Sequence, residues 1–231
     1  MALFKSGIIA SASGSAGGYT FSHNRGGMYI RNRSIPTNPN SGFQQVIRAA
    51  LVSLTSKWGE LLTEAQRDAW TVYADQVLIP NSFGDPRAIS GIAHYVRCNV
   101  SRIQAGLTRV DNAPTIFNLG DVTQPTIAGL TPPAALTVAF DNTDDWANED
   151  GGALLVYVAP PRPQSVNFFK GPYRYAGMIE GDGSIPPTSP AAITTPFAYS
   201  ATTAQRCNVT IRCSRADGRL SGNFQDRLDI P

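Results

Sequence analysis

From Phe43 the apolar residues recur at helical spacing. Phe43, Val46, Ile47, Ala50, Leu51, Leu54 and Trp58 fall at i, i+3, i+4, i+7, i+8, i+11 and i+15, which makes one continuous stripe. Gly59 can end that helix. Thr63 then opens a second one, with Gln66 three residues on completing a capping-box pattern, and Gln66, Ala69, Trp70, Tyr73, Ala74 and Val77 share a face. The short connection at 59–62 predicts that the two helices pack as an antiparallel hairpin. After the two-proline stretch "IPNSFGDPR", Ser90 can cap a third helix reaching about Gln104, with Gly106 as its C′ residue. Its apolar face reads Ile92, Tyr95, Val96, Asn99, Val100 and Ile103. Three helices of this size make a marginal core, which predicts support from a second domain or a neighbour.

From about Thr123 the period changes to two. "ALTVAFDN" sets Leu136, Val138 and Phe140 on one face, and "GGALLVYVAPP" is apolar on both sides. "QRCNVTIRCS" opposes Cys207, Val209, Ile211 and Cys213 to Asn208, Thr210, Arg212 and Ser214. Turn material at 142–152, 160–163, 181–190 and Asp217-Gly218 separates these strands, as in an antiparallel sandwich of about 100 residues. The fold class expected is α+β, in three parts: an extended basic arm over 1–42, a helical docking domain over 43–120 and a β-sandwich over 121–231. The boundary is placed at 120–125.

The first part has neither period. "SASGSAGGYTFSHNRGGMYIRNRSIPTNPNS" is rich in glycine, contains arginines and no acidic residue, and spaces its apolar residues in a way that predicts no fold of its own. Charge sharpens this picture. The net charge is only +2, but residues 1–120 hold eleven Lys/Arg against six Asp/Glu and residues 121–231 hold eight against eleven. A basic beginning suits an acidic partner, either nucleic acid or another protein. Charged residues are only 16% of the chain, with 21 glycines and 17 prolines, a composition of turns and short strands rather than of a helical enzyme. Its 42% hydrophobic content still allows a core.

Cys98, Cys207 and Cys213 make no disulfide framework and no C-x-x-C pair, so a reducing compartment is expected. No secretory signal or membrane span is expected, and the protein reads as made in a cytoplasm.

Candidate chemistry is sparse. Cys98 lies one helical turn beyond His94, the spacing of a Cys–His pair or half a metal site, though no further ligands stand at useful spacing. Cys207 and Cys213 read as core residues. The stretch "DNTDDWANEDGG" brings together Asp141, Asp144, Asp145, Glu149 and Asp150, a calcium candidate. It departs from the EF-hand pattern, because its sixth residue is Trp146 and its twelfth Gly152. Trp146 is either a contact residue or a plug for the sandwich end, and Tyr173 and Tyr175 are the other candidates for a sugar-binding surface. No cofactor is expected. In the arm, Tyr19, Phe21, Arg25, Tyr29, Arg31 and Arg33 interleave aromatics with arginines. This suits stacking on single-stranded nucleic acid, or an arm whose strand-like pieces "GGYTFS" and "GGMYIRNRS" add to a neighbouring subunit. The glycines, which permit close backbone approach, favour the neighbour.

The string "GYTFSHNRGG" at 18–27, Arg31 to Arg33, "NPNS" at 38–41 and "LTEAQRDAW" at 62–70 resembles a group of proteins of tailed bacteriophages and prophages. Its pattern is G-T-F-S-x-N-R-G-G, then N-P-x-[ST], then L-T-x-x-Q-R-x-A-W, and the likeness covers about residues 14–110. It implies a virion structural component without catalytic residues. The expected partners are capsid, portal or tail subunits, with the chain homo-oligomeric or bound to a lattice, and no membrane is involved. Separately, "CNVTIRCSRADGRLSG" is similar to the last hairpin of a fibronectin type III or immunoglobulin-like sandwich, a fold that by itself says little about function.

Overall fold

A computed structural model of the chain describes residues 2–3, 12–24, 27–80, 85–166, 169, 171–200 and 203–230. The chain divides into two units, Met1–Ser41 and Gly42–Pro231.

The first unit holds strands β1 (Ala2–Leu3), β2 (Gly14–Ala16), β3 (Tyr19–Asn24) and β4 (Gly27–Asn32) in one antiparallel sheet ordered β1–β4–β3–β2. The segment therefore does pair with itself, contrary to the expectation from its apolar spacing. Strand formation needs only period-two alternation and tight turns, and Gly17 at φ +56° supplies the left-handed residue for the turn between β2 and β3.

In the second unit local capping chemistry sets the helices. The Thr63 side chain accepts from the Gln66 amide, and the Gln66 side chain accepts from the Thr63 amide, opening α2 (Glu64–Gln76). Ser90 caps α3 (Gly91–Ala105), which closes on left-handed Gly106. The first helix, α1 (Gly42–Glu60), runs one residue past Gly59. Short paired segments β5 (Ile79–Pro80) and β6 (Pro86–Arg87) lie between α2 and α3.

One expectation about these helices fails and another holds only in part. Helices α1 and α2 each pack on α3 rather than forming a hairpin with one another. A Cβ on Gly91 would stand 2.8 Å from the Thr71 backbone nitrogen, so α2 and α3 meet nearly backbone to backbone. Of the face expected for α3, Tyr95 and Asn99 are buried and Val96, Val100 and Ile103 pack partly buried against the same core, while His94, Cys98, Ser101 and Arg102, not in the expected set, are buried as well. These polar side chains are buried because carbonyls distant in sequence meet them. Asn99 donates to Tyr95 O and Val110 O and accepts from the Val110 amide.

The remaining strands are β7 (Thr126–Thr131), β8 (Ala135–Ala139), β9 (Ala153–Val158), β10 (Arg162–Pro163), β11 (Arg174–Glu180), β12 (Ala191–Thr194), β13 (Gln205–Ser214) and β14 (Phe224–Ile230). One antiparallel sheet is ordered β7–β8–β12; the other is β11–β9–β13–β14, with β10 pairing the start of β13. Between them lies a core that includes Leu136, Val138, Trp146, Val156, Val209 and Ile211. The result is a β-sandwich-like region within an α+β fold.

Strand β9 is apolar on both sides because both faces are covered. Leu154, Val156 and Val158 enter the sandwich core, while Ala153 and Leu155 join Leu54, Trp70, Tyr73, Tyr95 and Cys98 on the helical side. Residues 43–120 and 121–231 thus share a core across the 120–125 segment, which gives the marginal helices the support they lack alone. The polar face of β13 also lies on this side, and Thr210 and Ser214 are buried there. Aromatic rings fill the helical layer: Trp58–Tyr95, Trp70–Tyr95 and Tyr73–His94 centroids lie 5.5, 5.6 and 5.3 Å apart.

Candidate interaction surface

Register in the N-terminal sheet decides which of the expected residues act together. Tyr19, Phe21 and His23 of β3 stand opposite Asn32, Ile30 and Met28 of β4; Thr20 and Ser22 stand opposite Arg31 and Tyr29. Directly opposed residues share a face, so the sheet has two unlike sides. One carries Tyr19, Phe21, Met28 and Ile30, with His23 and Asn32 beside them and, among the described residues, no Lys, Arg, Asp or Glu. The other carries Thr20, Ser22, Tyr29 and Arg31, and there Ser15 and Thr20 hydroxyls lie 2.9 Å apart.

The six residues expected to form one binding set are therefore split. Tyr19 and Phe21 lie on the apolar side and Tyr29 and Arg31 on the polar side. Arg33 follows β4, its amide donating to Gly18 O, and Arg25 lies outside the described residues. Met28 and Ile30 were missed. Their parity relative to Phe21 would have shown them, given the hairpin register. None of the described residues 12–24 and 27–41 is buried, and Tyr19 is 56% exposed. A small sheet without a buried face is marginally stable in water, so this unit gains most from a surface laid against it.

The other candidate chemistry is absorbed by packing. His94 and Cys98 are both buried. His94 Nε2 lies 3.0 Å from Val77 O, and burial, followed by the charge of Arg97, holds its pKa below the usual 6.5 against the opposing pull of that carbonyl. Burial pushes the Cys98 thiol up to about 11, far from thiolate chemistry at neutral pH. Cys207 and Cys213 are buried thiols as well, raised by burial to about 11 and about 12.

The His94 environment predicts a pH dependence. Above pH 6.5 the ring is neutral folded or unfolded; below it the unfolded chain takes a proton that the folded chain resists, so stability falls as pH falls. The stability advantage of wild type over His94→Leu should shrink from pH 7.5 to pH 5, by at most about 1.4 kcal/mol per pH unit below 6.5. Urea midpoints at the two pH values check this; an advantage independent of pH would contradict it.

The acidic stretch is committed to protein donors. Asp144 accepts from the Thr123 amide and from Trp146 Nε1, while Asp145 and Glu149 bind Arg215 at 3.0 and 2.6 Å. Asp141 accepts from Thr143, and Asp150 from the Gly183 amide. Among the described residues no group of three or more His, Cys, Asp or Glu side chains is placed to hold a metal ion. Trp146 is fully buried against Phe140, ring centroids 5.2 Å apart, so it plugs the sandwich and offers no contact surface. Tyr175 is partly buried and packs on Tyr157 at 5.6 Å, while the Tyr173 hydroxyl lies 3.4 Å from Phe169 O. Among the described residues no helix is long and apolar enough to cross a membrane. No family model, curated protein or solved structure matches the chain.

Proposed function

We propose that the chain is a non-enzymatic structural component of a bacteriophage particle, of the capsid-decoration or head–tail accessory kind, anchored to neighbouring subunits through its N-terminal sheet. The observation that carries this reading is the uncharged side of that sheet, where Tyr19, Phe21, Met28 and Ile30 line up with none of them buried. An apolar side on a small sheet suits a protein neighbour, which gains buried area and offsets the ordering entropy of the segment. The motif string at 18–27, 38–41 and 62–70 supports a virion setting. Seven principal strands divided three and four between two antiparallel sheets support a fibronectin type III or immunoglobulin-like sandwich, a common spacer or decoration.

A chain lacking residues 1–41 is expected to stay folded and soluble, because Gly42–Pro231 is a unit with its own core. It is expected to fail to enter particles when it replaces the full chain in an infected host. Incorporation at the full-length level would overturn the reading.

A second reading, binding of single-stranded nucleic acid, is favoured by one observation: Tyr29 and Arg31 share the polar side of the sheet. It requires affinity that falls steeply with salt.

A further inference from the structure

A cavity of about 500 Å³ opens within Gly42–Pro231 where the end of α2, the middle of α3 and strand β13 meet the segments around Phe117 and Leu220. Its lining includes the apolar Tyr73, Val77, Phe117 and Leu119, with the Tyr73 and Phe117 rings 6.2 Å apart. It also includes three arginines, Arg97, Arg212 and Arg219, and, among the described residues, no Asp or Glu.

The partners of these arginines are unequal. Arg219 is neutralised: its Nε lies 2.7 Å from Asp217 Oδ2, and its Nη1 donates to Asn118 O. Arg97 donates to Leu220 O at 3.2 Å and to Ser221 O at 2.9 Å and lies against the Cys98 side chain, and among the described residues no carboxylate pairs with it. Arg212 is the anomaly. Its Nε is buried without a hydrogen-bond partner among the described residues, and no ion pair reaches it.

Holding a partly buried guanidinium, its Nε buried and unpartnered, beside a second cation is costly, and a chain free to place methionine or leucine on β13 would gain stability by doing so. Burial, then the charge of Arg97, lowers the pKa of Arg212 to about 10, so it stays a cation at neutral pH. The cavity thus combines two positive charges that no carboxylate pairs with among the described residues and an aromatic and aliphatic lining, and a planar fork of N–H donors without acceptors is suited to a carboxylate or phosphate oxygen pair.

We propose that this cavity binds a small organic anion, a carboxylate on a compact apolar body, with Arg212 as the anchoring cation, Arg97 as the second, and the Tyr73–Phe117 wall receiving the apolar part. The site lies wholly within Gly42–Pro231 and does not depend on the anchoring role proposed for the N-terminal sheet.

Three probes separate the elements of the proposal when titrated by NMR into the full-length protein: phenylacetate, its uncharged counterpart phenylacetamide, and inorganic phosphate. Phenylacetate is expected to bind saturably, with shifts confined to residues around Tyr73, Phe117 and Arg212, at least about tenfold tighter than the amide. In Arg212→Met the tenfold preference is expected to vanish while the ligand-free melting temperature rises, because an unpaired buried charge has gone. Arg212→Lys, which keeps the charge without the fork, is expected to retain part of the preference.

Equal binding of acid and amide, no saturable binding of phenylacetate, or an unchanged preference in Arg212→Met would overturn the proposal. Binding of phosphate with none of phenylacetate would also overturn it, by removing the role of the apolar wall. A fall in the ligand-free melting temperature of Arg212→Met would show that the guanidinium is satisfied in the empty protein, and would remove the premise.

Discussion

Replacing Arg102 by Ala is expected to destabilise the unit Gly42–Pro231 by about 4 kcal/mol, seen as a fall of roughly 10 °C in melting temperature. Arg102 sits near the end of α3 and is only 3% exposed. Its Nε donates to Thr108 O at 2.9 Å; its Nη1 lies 2.7 Å from Arg215 O, 3.1 Å from Ser214 Oγ and 3.2 Å from Gly151 O. One side chain therefore ties the helical layer to two loops at one end of the sandwich. Truncation leaves these acceptors buried without a donor and opens a hole the length of the stem. Arg102→Lys should recover less than half of the loss, since an ammonium cannot span carbonyls that a fork reaches. A loss below about 1 kcal/mol for the alanine variant would show that the carbonyls find other partners.

That prediction also explains what the sequence conceals. Capping of α2 by Thr63 with Gln66, and of the two ends of α3 by Ser90 on the Ala93 amide and by Gly106 on the Arg102 and Ile103 carbonyls, was legible because each set of interacting groups lies within a few residues. Alternation identified β8 and β13, and the two-sided apolar run identified β9, because each follows from which faces are covered. The inward face of α3 was legible only in part, at Tyr95 and Asn99, for the opposite reason. His94, Asn99 and Arg102 are buried on account of acceptors at Val77, at Val110 and at Thr108, Gly151 and Arg215, and no local pattern reveals that a carbonyl waits across the fold. The expected α1–α2 hairpin failed because a short connection limits where the second helix starts, while the position of α3 depends on longer-range packing. Arg212 was legible only as a residue on the polar face of an alternating strand, and its place beside Arg97 of α3 follows from long-range packing.

The N-terminal unit was half legible. "GGYTFS" and "GGMYIRNRS" were recognisable as strands, but a list of aromatics and arginines carries no register. Pairing of Phe21 with Ile30 and of Ser22 with Tyr29 sorts that list into an apolar side and a polar one. This sorting yields the second large prediction. Aspartates at Tyr19 and Ile30 put two charges on the side proposed to meet a neighbour, and on that proposal burying an unpaired carboxylate there is costly enough to reduce incorporation into particles more than 100-fold. The milder Tyr19→Ala removes a ring more than half exposed in the free protein, so its effect on incorporation reports contact with the neighbour rather than folding. Arg31→Glu alters only the polar side and is expected to incorporate nearly as wild type.

The most direct measurement is the copy number of these variants in purified particles, with the full-length chain replaced in the infected host and each variant's solubility checked before assembly. The account predicts that the Tyr19→Asp, Ile30→Asp double variant is lost, that Tyr19→Ala is reduced and that Arg31→Glu is retained. Loss of Arg31→Glu alongside full incorporation of the double variant would contradict it, and would assign attachment to the basic side of the sheet.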